Sequence, residues 1–248
     1  MSEPRNVEKL IETSTRRDVE TPGRTRIKVC GVRDVSTARA AVVAGADLIG
    51  LVFVEKSPRF VTVEQAKTIT EALPPGVEAV GLFCDHSAKD VQKKSESAGL
   101  QAVQLHGHEQ PNFTEQLTGL RVIKAVGFDA GSLAQSLSPW RGCSASLSAV
   151  LIDTPPEPDA AITGGSGESF DWETLARLDT EGMLRDLPPM ILAGGLTAQN
   201  VGLAIRTVRP YAVDVSSGVE SSRGTKDAGM ISDFCAAVRA ADADVDPG

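Results

Sequence analysis

Positive charge is scarce in this chain. Lys and Arg number 25 against 33 Asp and Glu, leaving a formal net charge of −8 and a pI near 5.0. Neutralising a phosphate backbone takes a basic stripe, and none is present, so nucleic acid is excluded as an expected partner. Cysteine is sparse and badly spaced for metal. Cys30, Cys84, Cys143 and Cys235 show no C-x2-C pair, and in a chain this long they read as reduced thiols rather than a disulfide framework or a metal site. No apolar run reaches the roughly 18 to 20 residues of a bilayer span, and no apolar signal segment opens the chain. Glu3, Glu8, Glu12, Asp18 and Glu20 count against a transit peptide. The expectation is a cytoplasmic protein with no membrane partner that handles a small molecule.

What is present is a rhythm. A polar extension, 1–24, precedes it, with a helical turn or two expected around Val7 to Ile11. Eight aliphatic runs then follow: RIKVCGV (26–32), DLIGLVFV (47–54), EAVGLFC (78–84), QAVQLHG (101–107), RVIKAVG (121–127), SAVLIDT (148–154), PMILAGG (189–195) and YAVDVSSG (211–218). Continuous Val/Ile/Leu runs mark strands covered on both faces, as in parallel sheets. Helix-patterned segments lie between them: Ala38, Ala41 and Val42 recur at helical spacing, and Thr62 with Gln65 and Ser87 with Asp90 have capping-box spacing. Eight strand-then-helix units predict an α/β fold, a single (β/α)8 TIM barrel with eight parallel strands over 25–242 and a tail at 243–248. A flavodoxin-like pair of domains would need a linker, and no Pro/Ser-rich break divides the rhythm. Pro155 to Ser169 reads as a long loop after strand six.

In this fold chemistry collects at the C-terminal ends of the strands. Those ends carry Cys30 on strand one, Arg59 after strand two, His106 on strand four, Asp153 on strand six, Gly194 and Gly195 on strand seven, and Asp214 through Ser216, Ser217 and Gly218 on strand eight. Glycines after strands seven and eight let the backbone approach a ligand closely, which is where barrels commonly bind phosphate. The bland alternative for Gly194-Gly195 is a tight turn. GGSGES at 164–169 is not followed by Gly-Lys-Ser/Thr, which argues against a Walker-type nucleotide site.

Taken in order, KVCGV, SPRFV, VGLF, VQLHGHE, LIDT, GGSGESFDW, ILAGGLTAQNV and VDVSSGVE…GTKD resemble the phosphoribosylanthranilate isomerase family of tryptophan biosynthesis, over about residues 26 to 240. The resemblance implies a cofactor-free Amadori rearrangement of N-(5-phosphoribosyl)anthranilate to 1-(2-carboxyphenylamino)-1-deoxyribulose 5-phosphate. It implies that Cys30 is the general base, Asp153 the general acid, and Arg59 the group holding the anthranilate carboxyl. Cys84-Asp85 departs from the Val-Asn often found there in the family.

The chemistry asks for such groups. Ring opening needs a proton on the ribose oxygen, and moving the carbonyl to C2 needs removal of the C2 proton. An acid whose pKa burial raises and a thiol whose pKa electropositive surroundings lower would form the pair, with opposite shifts. Loop dipoles after strands seven and eight are the expected source of that positive potential. His106 is a substrate contact or a hydrogen-bonded rim residue, and Asp214 either orients substrate or holds the strand-eight turn. Cys84, Cys143 and Cys235 read as small hydrophobes, although Cys84 ends a strand and reaches the rim. The histidine-pathway isomerase would require carboxylates at strands one and five. A non-catalytic phosphate-binding barrel would need neither Cys30 nor Asp153. A closed barrel exposes no sheet edge, so a monomer is expected.

Overall fold

A computed structural model describes residues 24–143, 147–155 and 169–244. Eight parallel strands close in chain order into one barrel: β1 (Arg26–Cys30), β2 (Leu48–Val52), β3 (Glu78–Phe83), β4 (Ala102–Leu105), β5 (Arg121–Gly127), β6 (Leu147–Asp153), β7 (Met190–Leu192) and β8 (Ala212–Val215). Pairing of Lys28 with Asp214 and Val29 with Val215 joins β1 to β8 and completes the closure.

Side chains alternate across each strand, so one residue in two faces the barrel axis and the others face the helices. On β1, Ile27 and Val29 belong to the outer apolar layer, while Lys28 and Cys30 take the inward positions. The lower interior is apolar, built from Leu48, Val80, Ala102, Ile123, Ala149, Leu151, Ile191 and Ala212. Each fully buried aliphatic side chain of the two layers contributes about 1.5 to 3 kcal/mol of transfer free energy.

The helices are α1 (Val35–Ala44), α2 (Val63–Glu71), α3 (Ala88–Ala98), α4 (Leu133–Leu137), α5 (Trp172–Thr180), α6 (Val201–Val208) and α7 (Ala228–Asp244). Local chemistry sets their starts. Asp34 accepts from the Thr37 N–H, Thr62 and Gln65 form the reciprocal capping box, and Ser87 accepts from the Asp90 N–H. The fourth unit departs from the expected pattern: a 3-10 helix at Pro111–Gln116 stands where an α-helix was expected. Its bonds are of the tighter type, from the Phe113 N–H to the Gln110 carbonyl and from the Leu117 N–H to the Thr114 carbonyl. Helix α7 runs to Asp244, two residues past the expected end of the barrel at 242, and Asp244 pairs with Arg206.

A small antiparallel hairpin, β9 (Glu220–Ser222) and β10 (Thr225–Lys226), follows β8 and was not foreseen in the sequence. Arg24, assigned to the polar extension, already pairs with Asp47 at the start of the barrel. The rest of that extension, its expected turn at Val7 to Ile11, the tail beyond Asp244, and the Pro155 to Ser169 loop apart from its ends lie outside the described residues.

Candidate active site

A cavity open to solvent occupies the C-terminal mouth of the barrel. Cys30, Arg59, His106, Asp153, Gly194, Gly195, Asp214, Ser216 and Ser217 all line it. Of the expected site residues Gly218 alone is absent from the wall. A Cβ there would lie 1.9 Å from the Leu196 carbonyl oxygen, so Gly218 lets the β8 loop press against the β7 loop. Its part is to space these two loops. Gly194 and Gly195 have φ of 83° and 60°, a turn that side-chain-bearing residues rarely adopt.

Beneath the cavity lies a buried polar layer. The Lys28 ammonium donates to Asp214 Oδ2 at 2.9 Å and to Gln104 Oε1 at 2.8 Å. Gln104 Nε2 lies 2.9 Å from His106 Nδ1, and His106 Nε2 lies 3.5 Å from Asp153 Oδ2. A continuous line of polar groups therefore runs beneath the ligand space from β1 through β4 to β6. Asp214 Oδ1 is buried with no hydrogen-bond partner among the described residues, and Asp214 borders the cavity. Its pairing is with Lys28 on the neighbouring strand β1, not with the strand-eight turn.

Electrostatics separate these groups. Burial, reinforced by the Asp214 charge, lifts Asp153 to a pKa of about 7, well above the usual carboxylate range, against opposition from its own Thr154 N–H and from Lys28. Burial depresses His106 to about 4, with Lys28 and Lys124 adding to the effect. His106 is thus neutral near pH 7, and its contact with Asp153 is not an ion pair there. Lys28 keeps its charge: burial works against it, but Asp214 and Cys30 hold its pKa above the ordinary value.

Cys30 corrects the expected pattern. Its thiol is pushed up, not down, because burial outweighs the lowering by Lys28 and Lys226, and Asp214 adds to the rise. The acid and the thiol therefore shift in the same direction. The positive potential beside Cys30 comes from two lysine side chains, where loop dipoles were expected. Arg59 carries a partner that the sequence did not suggest. Its guanidinium is bonded edge-on to Glu220, with Nε–Oε1 at 2.7 Å and Nη2–Oε2 at 3.0 Å, so a buried carboxylate of the protein already occupies one edge of the expected carboxylate receptor.

Comparison with known proteins gives the family. The family model for N-(5'-phosphoribosyl)anthranilate (PRA) isomerase matches residues 27–237. The chain belongs to the phosphoribosylanthranilate isomerase family. A relative from Pseudomonas syringae pv. tomato, named N-(5'-phosphoribosyl)anthranilate isomerase, is 45% identical over 217 residues, covering 86% of this chain and 97% of that protein. The phosphoribosyl anthranilate isomerase of Thermotoga maritima superposes with a TM-score of 0.76 at 35% identity, covering 87% of this chain and 99% of that one. Another solved member of the family holds reduced 1-(o-carboxyphenylamino)-1-deoxyribulose 5-phosphate, with a TM-score of 0.73 at 33% identity over 87% of this chain and 99% of that one.

Sequence reasoning about the family's motifs missed Lys28, Gln104, Lys226 and Glu220. A signal existed for two of them. Lys28 interrupts an aliphatic run two residues before Cys30, and Gln104 sits two residues before His106. Charged or amide groups inside such runs, in phase with a strand-end functional residue, share its inward face. Cys84 also borders the cavity, while Cys235 is buried and Cys143 half-buried.

Proposed function

We propose that this chain converts N-(5-phosphoribosyl)anthranilate to 1-(2-carboxyphenylamino)-1-deoxyribulose 5-phosphate, a cofactor-free Amadori rearrangement in tryptophan biosynthesis. The observation that carries the reading is Asp153, a carboxyl able to hold a proton near neutrality, in the same cavity as the buried Cys30 thiol.

Asp153 donates a proton to the ribose ring oxygen, and the ring opens to an iminium at C1. Cys30 removes the C2 proton, giving an enolamine that tautomerises to the C2 ketone. Both groups favour their protonated forms at rest, so the two titrate as a coupled pair. The working form carries the proton on Asp153 and the charge on sulfur. Lys28 and Lys226 favour that form, and the iminium next to C2 adds positive charge as it develops. A thiolate that is reluctant to form is a stronger base once formed.

The glycine-bearing loops after β7 and β8, with Ser216 and Ser217, receive the substrate phosphate, and Arg59 receives the anthranilate carboxyl. Asp214, in the cavity wall with its buried Oδ1 unpartnered among the described residues, accepts from a substrate hydroxyl, and neutral His106 contacts the substrate beside the acid. The histidine-pathway alternative lacks its strand-one carboxylate, since β1 ends in Cys30, and β5 ends in Val126-Gly127. A cytoplasmic monomer fits the reduced thiols and the closed barrel, which offers no sheet edge to a second copy.

The test is loss of phosphoribosylanthranilate fluorescence with purified parent, Cys30→Ala and Asp153→Ala, each verified as folded by circular dichroism. Turnover by the parent that falls about a thousandfold or more in both variants is the expected result. A folded parent without turnover would leave a phosphate-binding barrel as the better reading. Unchanged turnover in Cys30→Ala would return that thiol to a packing role.

A further inference from the structure

We infer that Glu220, on the hairpin after the barrel, is a positioning residue that sets the plane of the Arg59 guanidinium and so selects substrates bearing a carboxylate on the aromatic ring. This inference rests on the reading of Arg59 as the carboxylate receptor. Four donors converge on the one carboxylate: Arg59 Nε at 2.7 Å, Arg59 Nη2 at 3.0 Å, Lys226 Nζ at 2.7 Å and the Gly224 N–H at 3.0 Å. Each oxygen accepts twice. Burial alone would raise Glu220, but these bonds bring it down to about 2, so it stays ionised at any working pH.

A flexible arginine at a pocket mouth samples many rotamers, and ordering it on binding costs affinity. Here that ordering is already done. The Nε–Nη2 edge is committed to Glu220, which leaves the Nη1–Nη2 edge for a second planar carboxylate. Two cations surround one anion, so the Arg59–Glu220–Lys226 cluster keeps a net positive charge and still attracts an anion. The arginine stem is fixed as well. It lies against Gly31, where a Cβ would come within 2.5 Å of Arg59 Cδ, so the receptor is packed directly onto the residue after Cys30.

The hairpin ties this receptor to the rest of the site. Lys226 Nζ also donates to the Ser216 carbonyl at 2.9 Å, and Ser216 Oγ donates to the Cys30 carbonyl at 3.2 Å. Glu220 and Lys226 thus link the loop carrying Arg59, the β8 loop and strand β1. Neither residue needs to touch substrate for this role.

The decisive experiment compares two ligands on two proteins. Calorimetry measures the affinity of parent and Glu220→Gln for reduced 1-(2-carboxyphenylamino)-1-deoxyribulose 5-phosphate and for its counterpart lacking the ring carboxylate. The Gln amide turns an N–H toward an arginine N–H and breaks one arm of the fork. The expected result is that preference for the carboxylated ligand falls about tenfold in Glu220→Gln, with the kinetic loss in KM rather than kcat. Glu220→Asp, which keeps the charge on a shorter stem, serves where the Gln variant fails to fold and is expected to lose part of the same preference. Equal weakening of both ligands would reduce Glu220 to a structural staple and overturn the inference. Tighter binding of the carboxylated ligand would overturn it in the opposite sense, as removal of a competitor. Selective loss of binding in a parent that shows no turnover would keep the inference and sink the catalytic reading instead.

Discussion

The lower and upper halves of the barrel interior are lined by the same strands, two residues apart, and they differ in almost every chemical respect. Ala102 lies below Gln104 on β4, Leu151 below Asp153 on β6, and Ala212 below Asp214 on β8. The lower residues interlock as a dry apolar plug. The upper ones place an ammonium, an amide, two carboxyls and a thiol in a nearly buried layer. A plug tolerates no void but asks nothing of charge. The layer above it must satisfy every polar atom, and Asp214 Oδ1 is left without a partner among the described residues. The difference shows how one set of strands both holds the barrel shut and keeps an acid and a thiol away from water, where their pKa values rise.

The sharpest way to break that contrast is to remove the cation of the upper layer. Lys28→Met leaves Asp214 buried and unpaired, which is expected to cost about 3 to 5 kcal/mol in urea unfolding near pH 7. It also removes the nearest positive charge from Cys30, so the pH dependence of Cys30 alkylation should move upward. Making the upper layer resemble the plug, with Lys28→Met and Asp214→Leu together, is expected to restore most of the stability and none of the activity. If the single variant is as stable as the parent, the pair is not the strut this contrast requires.

A smaller effect of opposite sign is expected at Asp153. Its folded pKa of about 7 lies above the ordinary aspartate value of 3.8, so between those values the folded state binds more protons than the unfolded chain. Stability is therefore full below about pH 4 and declines as pH rises through about 7. Asp153→Asn should relieve that penalty by on the order of 2 to 4 kcal/mol at pH 8 and by nothing at pH 4. Paired melting curves at the two pH values read the difference, and equal shifts at both would show that burial is not what raises this carboxyl. The smallest effect belongs to the plug. Ile123→Val should cost about 0.5 to 1.5 kcal/mol at every pH with kcat unchanged, and a changed kcat would show that the two halves are mechanically coupled.

Legibility in the sequence followed the same division. Strands buried on both faces write themselves as aliphatic runs, so the positions of β1 to β8 could be read directly. Capping at Thr62 and Ser87 is equally local and was legible too. The rim residues Cys30, Arg59, His106, Asp153 and Asp214 could be picked out because each ends or follows such a run. The 3-10 helix at Pro111–Gln116 was less visible, because an element of six residues is too short to set a period. The charge around Cys30 was not legible either. Lys226 is far along the chain and reaches the site only through a hairpin, and Glu220 meets Arg59 across 161 positions.

The sequence by itself determined the barrel class, the order of its strands and which residues stand at their C-terminal ends, because burial on both faces and a two-residue side-chain period leave a one-dimensional trace. Only the tertiary structure decided what those residues experience. Closure of β8 onto β1 brings Lys28 against Asp214, and folding the hairpin back brings Glu220 to Arg59 and Lys226 to Ser216. The protonation of Cys30 and Asp153 then follows from desolvation and distance, which no spacing along the chain encodes.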